Sequence, residues 1–404
     1  MGSNSDMSFH VLIVGGGLAG LSLAHGLRKH NISFTIVERE TAPRDRNWGV
    51  TLSWGHAQLE RLLPPDLYAN LQACQPDSSL DVKTSKKQCA LIRDGATGAV
   101  LKAAPYPGVR RLQIQKTKKI WAKGLDIKYG KKLVDIEVLD PAINSGQRVL
   151  AKFEDGTTES ASVIIGADGG TSNVRRWLLG EELAAQEVLP YSFMNFPFTL
   201  PAEKALWLDN EMNPNVDVAP HPKSMYMGIF LLDKPDIDRP ETWMFYILTT
   251  WPIKTKEDQD NTENRLERLR SHMDGWADPY RSVVEWLPDD VIIRKDQLRI
   301  WHPIPWDNHN GRVTLAGDAA HSMTFHRGQG GNLAIQDADE FVKTMLAVRG
   351  GTKSLEEGVR EYDKSVLERG EEVATSKAQT IAFHDYENFL NSPVVRMGIK
   401  PLAT

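Results

Sequence analysis

The sequence predicts an α/β protein: a Rossmann-type nucleotide-binding domain that carries an inserted antiparallel-sheet domain and ends in helices. Three observations support this. Both ends of the chain hold an apolar strand-like run, then a glycine-rich turn, then a helix-like segment, in "HVLIVGGGLAGLSLAHGL" and in "RVTLAGDAAHSMTFHRGQGGNLAIQDADEF". Between them lies a block rich in aromatics and prolines in which apolar residues alternate. The 404 residues exceed one ordinary domain.

Composition narrows the function. With 41% hydrophobic and 25% charged residues the chain is ordinarily globular. A net charge of −5 gives no basic field for nucleic acid. Cys74 and Cys89 make neither a disulfide framework nor a metal-ligand spacing, so no metal is expected and a reducing, cytoplasmic compartment fits. No apolar run reaches about 18 residues, so no transmembrane segment is expected. "MGSNSDMSFH" has no signal-peptide core, and Asp6 stands where myristoylation needs Ser or Thr. It reads as a leader or cloning scar, with Met7 as a natural start.

The elements follow in order. "HVLIVG" is a strand, Gly15, Gly17 and Gly20 have G-x-G-x-x-G spacing, and Leu18 to Leu27 is a helix. "ISFTIVERE" is a second strand ending at Glu38, 18 residues after Gly20. In such a βαβ unit the first glycine allows a tight turn, the second lets backbone approach a pyrophosphate, and the third lets helix pack on strand. The helix N-terminus offers free N–H groups to the phosphates, and the acid accepts from a ribose. A helix is expected at His56 to Leu63, a hairpin turning at Asp94 and Gly95, and a helix then a strand in "KKIWAKGLDIKYGKKL". Further strands turn at Asp140-Pro141, Ser145-Gly146 and Asp155-Gly156. Ser162 to Ala167 is a strand running into "DGGTSNVRRWL", again strand, acid, glycines, helix. Residues 185–299 read as an antiparallel sheet with one buried face followed by helices. Residues 9–184 and 300–385 then form the nucleotide-binding domain, with 80–112 contributing to the inserted sheet and 386–404 as a tail.

Taken together, Gly15-x-Gly17-x-x-Gly20, Asp168-Gly169 in "GADGGTSNVR" and Gly317-Asp318 in "LAGDAAHSMTFHRGQGGN" resemble the single-component FAD-dependent monooxygenases, whose reference fold is that of p-hydroxybenzoate hydroxylase. The resemblance spans roughly residues 9 to 385, and "QGGNLAIQDA" and "NWGVTLSWGHAQLERLLP" are similar to the fungal branch that works in secondary metabolism. It implies an FAD-binding domain in which Gly15, Gly17, Leu18, Ala19, Gly20, Glu38 and Arg39 surround the ADP half, while Gly49 and Arg111 lie near the flavin. It implies that Asp318, after Gly317, binds the ribityl chain. The loop Gly328, Gly330, Gly331 and Asn332 would face the pyrimidine edge, and Asp168 and Gly169 the nicotinamide site.

The resemblance further implies an NAD(P)H- and O2-dependent enzyme, NADPH favoured, that oxygenates an aromatic or alkene substrate through a flavin C4a-hydroperoxide. It works as a monomer or homodimer. A flavin reductase or dehydrogenase on the same fold is the alternative, and a non-catalytic flavin carrier another. Two departures stand out. Phe325 replaces a proline common in relatives, and an Arg that touches the flavin after "RRLQI" is missing, with Arg111 or Lys116 as substitutes. His326, Arg327, Tyr226 and Tyr246 are weak candidates for catalysis. Trp243 and Trp251 are further pocket candidates, and His321 reads as structural. A β-branched residue at Gly330 is expected to displace its loop.

Overall fold

The computed structural model describes residues 9–41, 46–81, 89–105, 108–139, 149–256, 258 and 264–392. The chain begins with β1 (His10–Val14), α1 (Leu18–Lys29) and β2 (Ser33–Val37), then runs through β3 (Gly49–Leu52), α2 (His56–Leu62) and α3 (Pro65–Ala69). The hairpin of β4 (Cys89–Arg93) and β5 (Val100–Pro105) precedes β6 (Arg110–Gln113), α4 (Ile114–Trp121) and β7 (Ile127–Lys128). Next come β8 (Leu133–Val138), β9 (Val149–Phe153), β10 (Thr158–Ala161), β11 (Val163–Gly166) and α5 (Asn173–Leu183). The inserted block holds β12 (Glu187–Thr199), α6 (Ala202–Glu211), β13 (Val216–His221), β14 (Met225–Asp233), β15 (Met244–Pro252), α7 (Arg265–Ser271), α8 (Tyr280–Glu285) and β16 (Asp296–Ile300). The chain closes with β17 (Val313–Leu315), the short α9 (Asp318–His321), α10 (Gly330–Arg349), α11 (Leu355–Arg369), α12 (Glu371–Phe383) and a 3-10 turn at Tyr386–Asn391. The expected turns at Asp140-Pro141 and Ser145-Gly146 lie outside the described residues.

The first sheet is parallel, in the order β17-β11-β1-β2-β7. Val11 to Val14 and the whole of β11 are buried, because a parallel sheet has helices on both faces and needs apolar side chains on both. On one side α1 packs against α10. The order brings the ends of β1, β11 and β17 side by side, so the turns after Val14, Gly166 and Leu315 meet at one edge. Three segments more than a hundred residues apart in sequence therefore share a site.

The second large sheet has seven strands, in the order β16-β12-β15-β14-β13-β4-β5. It is antiparallel except where β13 runs parallel to β4. The single buried face expected from the sequence is corrected here: β14 is buried on both faces from Met225 to Leu232. On one face Met227, Ile229 and Leu231 join Phe245 and Ile247 in a core with Trp276, Tyr280 and Val284. On the other, Tyr226, Phe230 and Tyr246 join Ile92, Val218, Phe383 and Phe389. That second face looks toward the glycine loops.

Candidate active site

A cavity of about 690 Å³ runs from the turn after β1 to the second face of the large sheet. Its size is that of a cofactor-and-substrate site. Most of the residues expected from the sequence line it: Gly15, Gly17, Leu18, Ala19, Glu38 and Arg39 at one end, Gly49, Arg111, Asp168, Gly169 and Asp318 along its length, and His326, Arg327, Gly328, Gly330, Gly331 and Tyr226 beyond.

The glycines have different tasks. Gly15 has φ 118°, and an added Cβ would stand 2.3 Å from the Ala167 carbonyl of the neighbouring strand end. A Cβ on Gly20 would stand 1.9 Å from the Gly15 carbonyl, so Gly20 is a packing residue behind the loop. A Cβ on Gly17 meets nothing within 4 Å, which leaves its backbone open to the cavity at the start of α1. Glu38 completes this end: its carboxylate accepts from the Gly16 N–H (2.8 Å) and the Glu40 N–H (3.0 Å).

At the adjacent strand ends stand two acids. Asp168 accepts from the Asn173 N–H at 2.7 Å through one oxygen, and its other oxygen is buried without a partner among the described residues. Burial pushes its carboxyl up, opposed by hydrogen bonds from Ser172 and Asn173. Asp318 begins α9 and is exposed where it lines the cavity. Burial raises its carboxyl too, with His321 and Arg175 pulling the other way.

The glycine loop is held from behind. Asn332 is fully buried and does not line the cavity: its Oδ1 accepts from Ser53 N–H (2.9 Å) and Gly55 N–H (3.2 Å), and its Nδ2 donates to the carbonyls of Thr51 (2.9 Å) and Gly328 (3.2 Å). It ties the turn after β3 to the loop. Helix α10 starts at Gly330, so Gly330, Gly331 and Asn332, expected as loop, form its first turn, whose N–H groups have no carbonyl within the helix to bond. Gly317, also behind the wall, donates its N–H to Asp337 at 2.7 Å.

Several expectations are corrected. Tyr246 does not reach the cavity: its hydroxyl donates to Asn195 at 2.6 Å. Trp243 donates to the Asp236 carbonyl under the Lys234 ammonium, and Trp251 packs in the core behind the sheet. Lys116 is turned away in an ion pair with Asp233. Arg327, a weak catalytic candidate, does line the cavity, but it is buried with its Nε 2.5 Å from Glu372. Arg111, by contrast, is buried in the cavity wall with Nε unpartnered among the described residues, its guanidinium 4.2 Å from the Phe230 ring centre. Its side chain fills the space a Cβ on Gly49 would need, 2.4 Å away. Burial lowers it to about 10.

The sequence reading missed Asp337, Arg175 and Asn332's clamping role. Asp337 holds His321 Nε2 (2.7 Å), Arg369 Nε (2.8 Å) and the Gly317 N–H. Burial pushes its carboxyl up, but His321 and Arg369 outweigh that and hold it at about 2. Its place on the helix face of Leu333 and Phe341, four residues to either side, was the available signal, since an acid on an apolar face needs buried partners. Arg175 donates to the carbonyls of Gly170 (2.5 Å), Ala184 (3.1 Å) and Ala319 (2.9 Å), joining the turns after β11 and β17.

These residues fit a bound FAD. A bare glycine backbone stands at a helix N-terminus, a carboxylate ends β2, Asp318 projects into the cavity, and Asp168 keeps an unpartnered oxygen. Known proteins agree. The FAD binding domain family matches residues 122–377, and an NAD(P)-binding Rossmann-like domain matches residues 13–56. The chain is 32% identical to the FAD-dependent monooxygenase phnB of Penicillium herquei, covering 97% of this chain and 95% of the relative. It is also 32% identical to the FAD-dependent monooxygenase cctM of Talaromyces islandicus, covering 96% of each. Among solved structures, 2,6-dihydroxypyridine-3-hydroxylase from Arthrobacter nicotinovorans superposes with a TM-score of 0.74 at 19% identity, over 94% of this chain and 93% of that one. Klebsiella pneumoniae HpxO complexed with FAD and uric acid gives 0.73 at 18% identity, over 97% and 93%. The fold, the cavity and these matches together place the chain in the FAD-binding-domain family, as an FAD-dependent monooxygenase.

Proposed function

We propose that this enzyme uses NAD(P)H and O2 to transfer one oxygen atom to an electron-rich aromatic or alkene carbon of a small natural product, by hydroxylation or epoxidation. One observation carries the proposal: a single cavity joins the Gly15 loop, Asp318 and the Gly328–Gly331 loop to an apolar compartment under the large sheet. Bound FAD would supply hydride acceptance and activation of O2. The protein's part is to hold, orient and keep dry. Gly15, Gly17 and Glu38 would hold the ADP half, with the pyrophosphate at the N-terminus of α1. Asp318 would accept from the ribityl hydroxyls. The first turn of α10 would set its positive end against the pyrimidine edge, where reduction builds negative charge. Ile92, Val218, Leu248 and Phe383 make the far compartment water-poor, which protects a reactive oxygen species.

The sequence has no second glycine fingerprint of this kind, which supports brief docking of NAD(P)H, with NADPH favoured, in the cleft near Asp168 and Gly169. The names of the fungal relatives support a role in secondary metabolism, and the dihydroxypyridine hydroxylase neighbour supports aromatic substrates. The test is to load the protein with FAD and follow NAD(P)H oxidation, O2 uptake and isotope from labelled O2 in the product. Slow oxidation alone and faster oxidation with substrate are expected, with one labelled atom in the product. NAD(P)H oxidation that never labels a product would make the enzyme a reductase or dehydrogenase.

A further inference from the structure

Among the described residues, the cavity wall holds one sulfur atom, that of Met323. Cys74 and Cys89 do not line it. The other described methionines are buried in the cores, except Met244, which is half-buried and lies outside this cavity wall. A thioether is a soft, polarizable nucleophile, and it takes an electrophilic oxygen directly to become the sulfoxide.

The fold turns Met323 inward. Ser322 and Thr324, on either side of it, both have extended backbone, with φ −67° and ψ 132° at Ser322 and φ −71° and ψ 156° at Thr324. Both are tied to the body of the protein. The Ser322 carbonyl accepts from the Trp301 N–H (2.9 Å) and its hydroxyl accepts from Gln186 (2.6 Å). Thr324 donates its hydroxyl to the Ser376 carbonyl at 3.0 Å. Successive side chains of an extended segment alternate in direction, so the residue between two anchored ones faces the other way, into the cavity. There Met323 Cγ stands 3.9 Å from the point where Gly330 would carry a Cβ, and Asp318 Oδ1 stands 3.7 Å from the same point. The thioether is therefore beside the first turn of α10 and the acid that would hold the ribityl chain. Its other side packs against the apolar cluster of Leu189, Leu298, Ile300 and Val373.

We propose that Met323 is a site at which the enzyme oxygenates itself. The inference rests on the monooxygenase reading above and adds a self-limiting step to that same site. With no substrate to take the oxygen, NAD(P)H and O2 yield NAD(P)+ and H2O2 inside the cavity. One peroxide oxygen then bonds to the Met323 sulfur as the O–O bond breaks. The sulfur gives up two electrons, and the second oxygen leaves as water with both peroxide protons. The polar sulfoxide no longer suits the Leu298, Ile300 and Val373 cluster, so it leaves that cluster and crowds the turn at Gly330. Idle turnover thus loosens the hold on FAD.

The test cycles FAD-loaded protein in two arms, each with catalase in solution to destroy peroxide that escapes. In one arm NADPH and O2 turn the enzyme over without substrate. In the other, dithionite reduces it under nitrogen, a desalting column removes the excess, and O2 is admitted, so no nicotinamide is needed. Peptide mass spectrometry reads each methionine, and flavin fluorescence reads released FAD. Met323 should gain one oxygen atom in both arms before Met244 does, and FAD-free protein should stay unmodified at both. Met323→Leu conserves volume and removes the sulfur, so it should keep its FAD through cycles in which wild type releases it. The proposal is overturned if Met323 stays unmodified while O2 is consumed, if Met244 is oxidised as readily, or if Met323→Leu releases FAD as fast as wild type; the first of these leaves the monooxygenase reading intact. Met323 oxidation in the dithionite arm with no NADPH oxidation in the other supports this site and counts against the nicotinamide reading alone. Absence of O2 uptake in both arms overturns both.

Discussion

Asp318 projects its carboxylate into the cavity and makes no side-chain hydrogen bond among the described residues. If it accepts a ribityl hydroxyl, Asp318→Ala removes a bond to a charged group worth about 1.5–3 kcal/mol, and FAD affinity falls about 10- to 150-fold while the circular dichroism is unchanged. Unchanged flavin occupancy at limiting FAD would reduce Asp318 to a turn residue. Asp318, Asp168 and the glycines were legible because their meaning is local: a strand before, a helix after, and a backbone conformation in between. Arg327, Tyr246 and Lys116 were not legible. A side chain's direction depends on partners far along the chain, Glu372 for Arg327, Asn195 for Tyr246 and Asp233 for Lys116. Arg111 was legible only as an alternative, since its isolation depends on which acids the fold brings near.

Helix α12 clamps the segment Thr324–Arg327 that leads into the glycine loop. Glu372 pairs with Arg327, and Ser376 and Thr380 bond Thr324 and His326. Glu372→Ala strands a buried guanidinium and should cost about 3–5 kcal/mol, read as a lower Tm and chemical midpoint. The double change Arg327→Met with Glu372→Met should recover most of that loss, and a double variant no more stable than the single one would refute the argument. The glycine loop needs a similar correction. A Cβ alone on Gly330 would meet Asp318 and Met323 at 3.7 and 3.9 Å, ordinary contact, so the tightest constraint in the loop is not there. It sits at Gly331, where a Cβ would lie 2.3 Å from Val50 Cγ1. Gly331→Ala should therefore push α10 off β3 and weaken FAD binding, and Val50→Ala in the same chain should restore it; equal FAD affinity in wild type and Gly331→Ala would contradict this. Helices and strands were legible from periodicity and punctuation. The burial of both faces of β14 was not, because the cover on its second face is Phe383 and Phe389, more than a hundred residues away.

At the scale of the whole molecule, two buried groups tilt stability against pH in opposite directions. Burial raises Asp363 from 3.8 to about 7, against hydrogen bonds from Thr314 and Asn308. Its contribution is full below pH 3.8 and is lost as pH rises through about 7. Burial lowers His384 from 6.5 to about 4. Its contribution is present above pH 6.5 and is lost as pH falls through about 4. Asp363→Asn removes the first slope and leaves the second. Its Tm should drop more steeply than wild type between pH 7 and pH 5 and should gain on wild type above pH 7; parallel curves in a thermal-shift series would sink the assignment.

The sheet order β17-β11-β1-β2-β7 has a consequence for biosynthesis. The Gly15 turn leaves the ribosome first, but Asp318 and the loop that closes the cavity follow about 300 residues later. At about 5–20 residues per second this is a wait of roughly 15–60 s. β11 is made about midway through that wait and β17 only at its end, so until then the nascent chain would offer FAD only part of its berth. Complete cofactor capture is thus expected late in synthesis, and β1, whose Val11 to Val14 are apolar on both faces, lacks its full cover until its partners are made.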